Sequence, residues 1–457
     1  MSEHQQSSPA SEKGIIYAPW ERAFNLVLTP FDEFIHRQTT SGMLLVVSAL
    51  IALLLANSFL ADTYQHVLHT PLGFHVGSWG LDMSLHHWVN DGLMTLFFFV
   101  VGMELKREML VGELADIRQA ALPIIAAIGG MVMPALIYLA INYGTDAARG
   151  WGIPMATDIA FAVGALVLLA SRVPKALITF LVALAIADDL GAVVVIALFY
   201  TQELALNWLA ISVALVLLLF VLNFAGIRKV LPYFGVAILL WYALLQSGVH
   251  ATLAGVLCAF AIPARPKYDP GLFSMRIKET IARFDISHQQ DSNIMTNEGL
   301  YSAVQRLEQG VRGVQTPLQR LEHNWHLPVA FLVIPIFSLV NAGIPLQLGA
   351  LGETLSNPVM LGVMFGLVLG KFIGITGACW LALRLGIGQL PTGTRFSQVA
   401  AVSVLGGIGF TMSIFIAELA FAGHPDSLLM AKTGVLAASL LAGLAGFVWL
   451  WILGDKK

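Results

Sequence analysis

The chain has 457 residues, 57% of them hydrophobic and only 12% charged, against about 25% charged in soluble domains. A mean hydropathy of +0.77 and a count of 42 glycines point to a polytopic membrane protein with closely packed helices. The net charge of −3, with no contiguous basic face, excludes a nucleic-acid partner; Cys258 and Cys379, both in apolar runs, read as small buried hydrophobes rather than a disulfide or metal site.

Residues 1–41 form a polar head without the short basic start of a cleavable signal, so it is expected to be retained. Its stretch "APWERAFNLVLTPFDEFIHR" mixes aromatics with charges and reads equally as a membrane-surface segment or a plain tail. Windows of about 20 apolar residues, the length that spans a bilayer, then mark candidate helices. They fall at 42–60, 88–105, 121–141, 153–171, 176–200, 207–225, 230–247, 248–263, 327–344, 358–383, 398–422 and 431–453. The fold class is therefore all-α, with about twelve transmembrane helices.

Between the first two windows, "TPLGFHVGSWGLDMSLHHW" alternates apolar and polar residues around Gly77–Gly80 and reads as a small β-hairpin. At the end of the second window, "GMELKREML" puts Glu104 and Glu108 one turn apart on one helix face. Pro154 interrupts the fourth window just ahead of Thr157 and Asp158, removing a helix hydrogen bond. The fifth window carries Asp188 and Asp189 side by side. The seventh and eighth are parted only by "QSGVH", whose His250 either caps the eighth helix or lies along an ion path.

The 264–325 connection is long and polar. Phe273, Ile277, Ile281 and Phe284, then Leu300, Val304, Leu307 and Val311, recur at helical spacing and predict two short amphipathic helices. "RLEHNWHLP" then brings Glu322, His323 and His326 to the start of the ninth window. Lys371 lies inside the tenth. The eleventh is broken by Gly406, Gly407 and Gly409 and also carries Glu418.

Lysine and arginine set the orientation. Segments on the N-terminal side hold 22 of the 25, and the opposite side holds only Arg149 and Lys432. Both termini are expected in the cytoplasm. The layout is a head at 1–41, spans one to eight over 42–263, a cytoplasmic loop at 264–325, spans nine to twelve over 326–453 and a tail at 454–457. The interrupted fourth and eleventh spans each sit centrally in a three-span set, 3–5 and 10–12. Corresponding spans of the two sets are seven apart, an odd number, which gives the sets opposite orientation, an inverted repeat by topology.

An aspartate at the centre of a spanning helix costs ~2.5–3.5 kcal/mol on insertion scales, so Asp158, Asp188, Asp189, Lys371 and Glu418 call for a reason. A helix–helix salt bridge accounts for one carboxylate and Lys371, and leaves Asp158 and one of the pair over. Adjacent helix residues point about 100° apart, so one of Asp188 and Asp189 can face a cavity while the other pairs across an interface. Burial and like-charge repulsion favour a protonated carboxyl, and a nearby lysine favours the ionised one. Such a site holds a proton or exchanges it for a small hard cation. Carboxylates, the Thr157 hydroxyl and carbonyls freed at broken helices supply the oxygen ligands. No P-loop lysine accompanies the glycine run, which excludes a phosphate loop.

The stretches "ATDIAFAVG", "ALAIADDLGAVVVIALFYT", "SGVHATLAGV", "GKFIGITGACWLALRLG" and "GGIGFTMSIFIAELAF" closely resemble the bacterial NhaA-type sodium/proton antiporters, over roughly residues 40–263 and 320–453. That family is a standard instance of inverted-repeat transporters, so the repeat read above lends the resemblance no independent support. The resemblance implies a secondary transporter rather than an enzyme. It implies crossed broken helices at spans four and eleven, and electrogenic, pH-regulated exchange of cytoplasmic Na⁺ or Li⁺ for external protons. By motif, Asp189 is the principal cation and proton carboxylate, and Asp188 its neighbour, with Na⁺ bound at the pair. Lys371 in "LGKFIG" is the intramembrane charge partner, of Asp188 first, and Thr157 and Asp158 lie at the break. No cofactor is implied beyond the transported ions. The partners implied are the bilayer of a bacterial inner membrane and a second copy of the chain, met through the external hairpin. Glu104, Glu108, Glu322 and His323, with His250 more remotely, make a candidate pH sensor and cation funnel. The chain departs from the family in its longer head, in an extra stretch before "RLEH", and at Glu418, where a small neutral residue is expected.

Other readings fit less well. An intramembrane aspartyl protease needs its aspartates on separate helices, one of them in a GxGD motif that this sequence lacks. A channel favours a ring of like groups. A bile-acid-type symporter shares the architecture, but adjacent aspartates beside an intramembrane lysine argue for proton coupling.

Overall fold

The structure is a computed structural model that describes residues 38–76, 79–112, 114–201, 204–290, 296–345 and 351–454. The head up to residue 37 and the tail from 455 lie outside these residues, as does the tip of the hairpin at 77–78.

Helix α1 (Gln38–Ala56) turns sharply into α2 (Ala61–His69), the two axes differing by 111°. Strands β1 (Pro71–Val76) and β2 (Trp79–Ser84) follow as an antiparallel hairpin, with Pro71 opposite Ser84 and Val76 opposite Trp79. Then come α3 (Leu85–Val111), α4 (Ile117–Asn142), a 3₁₀ segment (Asp146–Met155) and α5 (Ile159–Val167). Next are α6 (Lys175–Phe199), α7 (Leu206–Phe224), α8 (Leu231–Ser247) and α9 (Leu253–Ala261). The 264–325 connection folds as α10 (Pro270–Gln290) and α11 (Glu298–Val314), which pack on each other and are longer than the short helices expected. The chain closes with α12 (Pro317–Asn341), α13 (Leu351–Ser356), α14 (Pro358–Arg384), α15 (Phe396–Leu405), α16 (Phe410–Ala420) and α17 (Pro425–Leu453).

Among the described residues, eight helices are long and apolar enough to cross a membrane, or ten if each bent pair forms one span. Each of the twelve apolar windows includes helical residues, but α5 and α9 have only nine each and α8 has 17. Helix α9 is short for a span yet well supported. It lies against α3, and the Lys106 ammonium donates to the carbonyls of Phe260 and Ile262 at its C-terminal end. Helix α12 begins at Pro317, ahead of the apolar window. Its first turns are polar and are started by a capping box in which Thr316 and Gln319 satisfy each other's backbone amides.

Apolar side chains fill two interiors. The larger joins α1, α5, α6 and α14 to α17; the smaller joins α3 to α7, α8, α9 and the start of α12. Helix α7 keeps Val213, Leu217 and Val221 more than half exposed although nearly every position is apolar. A helix apolar on all sides with little protein around it is a lipid-facing span. Glycine sets the contact that matters most for the site: Gly129 of α4 and Gly374 of α14 lie backbone to backbone, and a Cβ on either would collide with the other's carbonyl. That approach seats Lys371 of α14 beside the core of the molecule.

Candidate functional site

Two chain interruptions meet in the interior. The first lies between the 3₁₀ segment and α5, where Ala156, Thr157 and Asp158 run extended behind Pro154. The second is the glycine-rich stretch between α15 and α16, whose axes differ by 48°. The Asp158 amide donates to the Ile408 carbonyl at 2.7 Å, and the Ser413 hydroxyl to the Ile153 carbonyl at 2.8 Å. Each break thus supplies hydrogen-bonding groups that the other leaves unmatched.

Asp158 is the tie between them. Its Oδ1 accepts from the Phe161 amide at 3.0 Å, capping α5. Its Oδ2 accepts from the amide and the hydroxyl of Thr411, at 3.0 and 2.6 Å, in the first turn of α16. One carboxylate therefore faces the positive ends of two half-helices.

Beside this knot, α6 presents Asp188 and Asp189, both essentially without solvent exposure. The two behave differently. Asp188 Oδ2 pairs with the Lys371 ammonium and accepts from the Thr157 hydroxyl, which also reaches the Gly406 carbonyl at 2.9 Å. Asp189 has no hydrogen-bond partner at either carboxyl oxygen, and Asp188 Oδ1 has none either. A carboxylate so placed cannot stay ionised and bare, because desolvation costs far more than distant charges return. It needs a proton or a bound cation. Asp158, Asp188, Asp189, Thr157 and Lys371 are thus brought into one buried cluster, with Lys371 on Asp188.

The residues singled out near the N-terminal side of the membrane divide. Glu104 Oε1 meets His326 Nδ1 at 3.2 Å, and Arg107 joins Glu322 and Glu108, each at 2.8 Å. A cavity of about 490 Å³ opens beside them, lined by Glu108, Gln119, Thr179, Val182 and Ala183. His323 is not in this group; it is exposed. His250 is at the other end of the molecule, its Nε2 against the Tyr200 carbonyl at 2.9 Å. Sequence reasoning passed over Thr411, Ser413 and Arg107. The Gly406–Gly409 break was the one available signal for the first two, because a hydroxyl just behind a broken helix is free to bond elsewhere.

The sequence profile of the family described as Na⁺/H⁺ antiporter 1 matches residues 32–450. The chain is 58% identical over 438 residues to Na⁺/H⁺ antiporter NhaA 1 of Saccharophagus degradans, covering 96% of this chain and 94% of that protein. It is 54% identical to Na⁺/H⁺ antiporter NhaA of Sulfurimonas denitrificans, over 95% of this chain and 98% of that one. It is 51% identical to its counterpart in Syntrophobacter fumaroxidans, over 95% and 93%. These relatives are named as secondary transporters, not enzymes. The chain is a multi-pass membrane protein that belongs to the NhaA family of Na⁺/H⁺ antiporters.

Proposed function

We propose that the protein exchanges cytoplasmic Na⁺ or Li⁺ for external protons through one buried site at Asp189 and Asp188, electrogenically and under pH control. The observation that carries this reading is the pair of partnerless oxygens on buried Asp189, next to an Asp188 already held by Lys371. Asp189 takes either a cation or a proton, and that competition is the coupling. Thr157 and carbonyls at the two breaks complete the oxygen shell, and no cofactor takes part. Asp158 balances the half-helix ends, so that the breaks stay formed around a cargo that comes and goes.

The twelve-window layout supports spans at all twelve positions, with sets 3–5 and 10–12 as inverted repeats whose broken helices cross at the site. The lysine and arginine distribution supports cytoplasmic termini and a cytoplasmic 264–325 loop, in a bacterial inner membrane. In that orientation the cavity beside Glu108 is the cytoplasmic entrance. The Glu104, Glu322, Arg107 and His326 cluster, joined through Arg107 to the Glu108 that lines the cavity, is then the pH-responsive element, since histidine changes charge near neutrality. The β1–β2 hairpin is the external dimer contact, its strand edges open to a second copy.

The test uses everted membrane vesicles from cells lacking other antiporters. After respiration has acidified the lumen, NaCl or LiCl should alkalinise it and KCl should not. No Na⁺-dependent alkalinisation would overturn the reading.

A further inference from the structure

We propose that Glu418, together with His86, is a positioning residue of the exchange reaction: the pair latches the outer end of α16, and external protons act on that latch. The proposal rests on the antiport reading above and on its orientation. Glu418 is a largely covered intramembrane charge that the buried cluster leaves unused.

Glu418 Oε1 meets the Lys432 ammonium of α17 at 2.5 Å and His86 Nε2 of α3 at 3.4 Å. The three side chains are only 11–20% exposed. His86 Nε2 also lies 3.1 Å from Asn341 Oδ1 of α12 and 3.4 Å from Asn90 Nδ2 of α3. Asn341 and Asn90 are themselves paired, Nδ2 to Oδ1 at 2.8 Å. Four helices therefore converge on one carboxylate and one imidazole. The site is connected to this point mechanically. Thr411, which holds Asp158, and Glu418 are seven residues apart on α16, or about 10 Å at 1.5 Å per residue. The half-helix is tied by a carboxylate at each end. Any movement that opens the interrupted helices must carry or break the outer tie.

The imidazole makes that tie depend on protons. The neutral imidazole either accepts from Asn90 at Nε2 or, in its other tautomer, donates from Nε2 without a charge. Once protonated, Nε2 can only donate, and the acceptors in reach are Asn341 Oδ1 and the Glu418 carboxylate. The charge then strengthens the tie of α16 to α3. Other titratable groups face this point from each neighbouring element. His69 of α2 stacks on His86 at 6.3 Å, His87 meets it edge-on at 5.8 Å, and Asp91 lies one turn along α3. His250, His424 and Asp426 border the same cavity of about 740 Å³. Glu418 is the carboxylate in direct reach of the imidazole, so its removal, unlike that of the others, should abolish the response.

The experiment follows ²²Na⁺ efflux from right-side-out vesicles holding the full-length chain, with internal pH fixed and external pH set at 8.5 or 6. All variants see the same gradients, so a change in the wild-type-to-variant ratio belongs to the residue. His86→Gln should match wild type at pH 8.5 and exceed it about threefold at pH 6, the scale of one partly exposed ion pair. Glu418→Gln should show the same excess at pH 6, and Glu418→Asp should restore the wild-type brake. If Glu418→Gln does not accumulate in the membrane, His86→Gln, which leaves the Glu418–Lys432 pair in place, decides alone. A ratio equal at both external pH values, or one that moves equally with internal pH, overturns the latch while the antiport reading stands. Wild-type vesicles with no Na⁺-driven proton movement would overturn both.

Discussion

Replacing Lys371 by Met removes a charge but little volume, and its consequence can be sized from the contacts. The Lys371 and Asp188 side chains are both 0% exposed, so no water replaces the lost ammonium. Asp188 Oδ1 already lacks a partner, and the one Thr157 proton serving Oδ2 is shared with the Gly406 carbonyl. A buried pair broken from one side typically costs about 3–5 kcal/mol, because the remaining charge is uncompensated. At about 1–2 °C per kcal/mol, the size scaling of ΔTm carried to a chain this long, the unfolding midpoint should fall by roughly 3–10 °C. The double variant Lys371→Met/Asp188→Asn removes both charges, keeps an acceptor for Thr157, and should recover most of that loss. Thermal unfolding of the purified proteins in detergent, followed by intrinsic fluorescence, reads both numbers. A single variant as stable as wild type, or a double variant no better than the single, would refute the assignment of Lys371 to Asp188.

Asp158→Ala leaves the Thr411 and Phe161 amides without their acceptor; it should lower the unfolding midpoint and the Na⁺-exchange rate together, whereas Thr411→Val should lower them less, as the amide bond survives. Glu322→Gln weakens the Arg107 bridge and should displace the activity–pH curve while sparing the maximal rate; a proportional loss at every pH would assign Glu322 to folding or general access. Deleting residues 72–84 should give monomers on native electrophoresis that still exchange ions, and an unchanged dimer would count against the hairpin contact.

Much of this architecture is legible in the sequence because the bilayer imposes a simple rule, that long apolar runs become helices. The two interruptions are legible for a similar reason: Pro154 cannot donate a helix bond, and the Gly406–Gly409 run weakens α-helix wherever it occurs. The amphipathic helices of the 264–325 connection announce themselves by period. What could not be read is what touches what. Thr411 is 253 positions from the Asp158 carboxylate it binds, and no local pattern encodes that partnership. Spacing alone leaves the adjacent aspartates equivalent, and the motif resemblance is what ranks Asp189 first. The approach of α14, set by Gly129 against Gly374, puts Lys371 on Asp188, as the motif led one to expect, and leaves Asp189 bare. The start of α12 at Pro317 was missed because Arg320, Glu322 and His323 make its first turns polar. Glu418 stood out as an intramembrane charge, but His86 and Lys432 gather around it from two other helices.

The central claim is that a proton and a cation compete for Asp189. It is tested most directly by adding NaCl to the purified protein in weakly buffered detergent solution and measuring the protons released. The wild-type protein should release protons saturably on Na⁺ or Li⁺ addition and not on K⁺, with Asp189→Asn releasing none. Undiminished Na⁺-dependent release from Asp189→Asn would contradict the account.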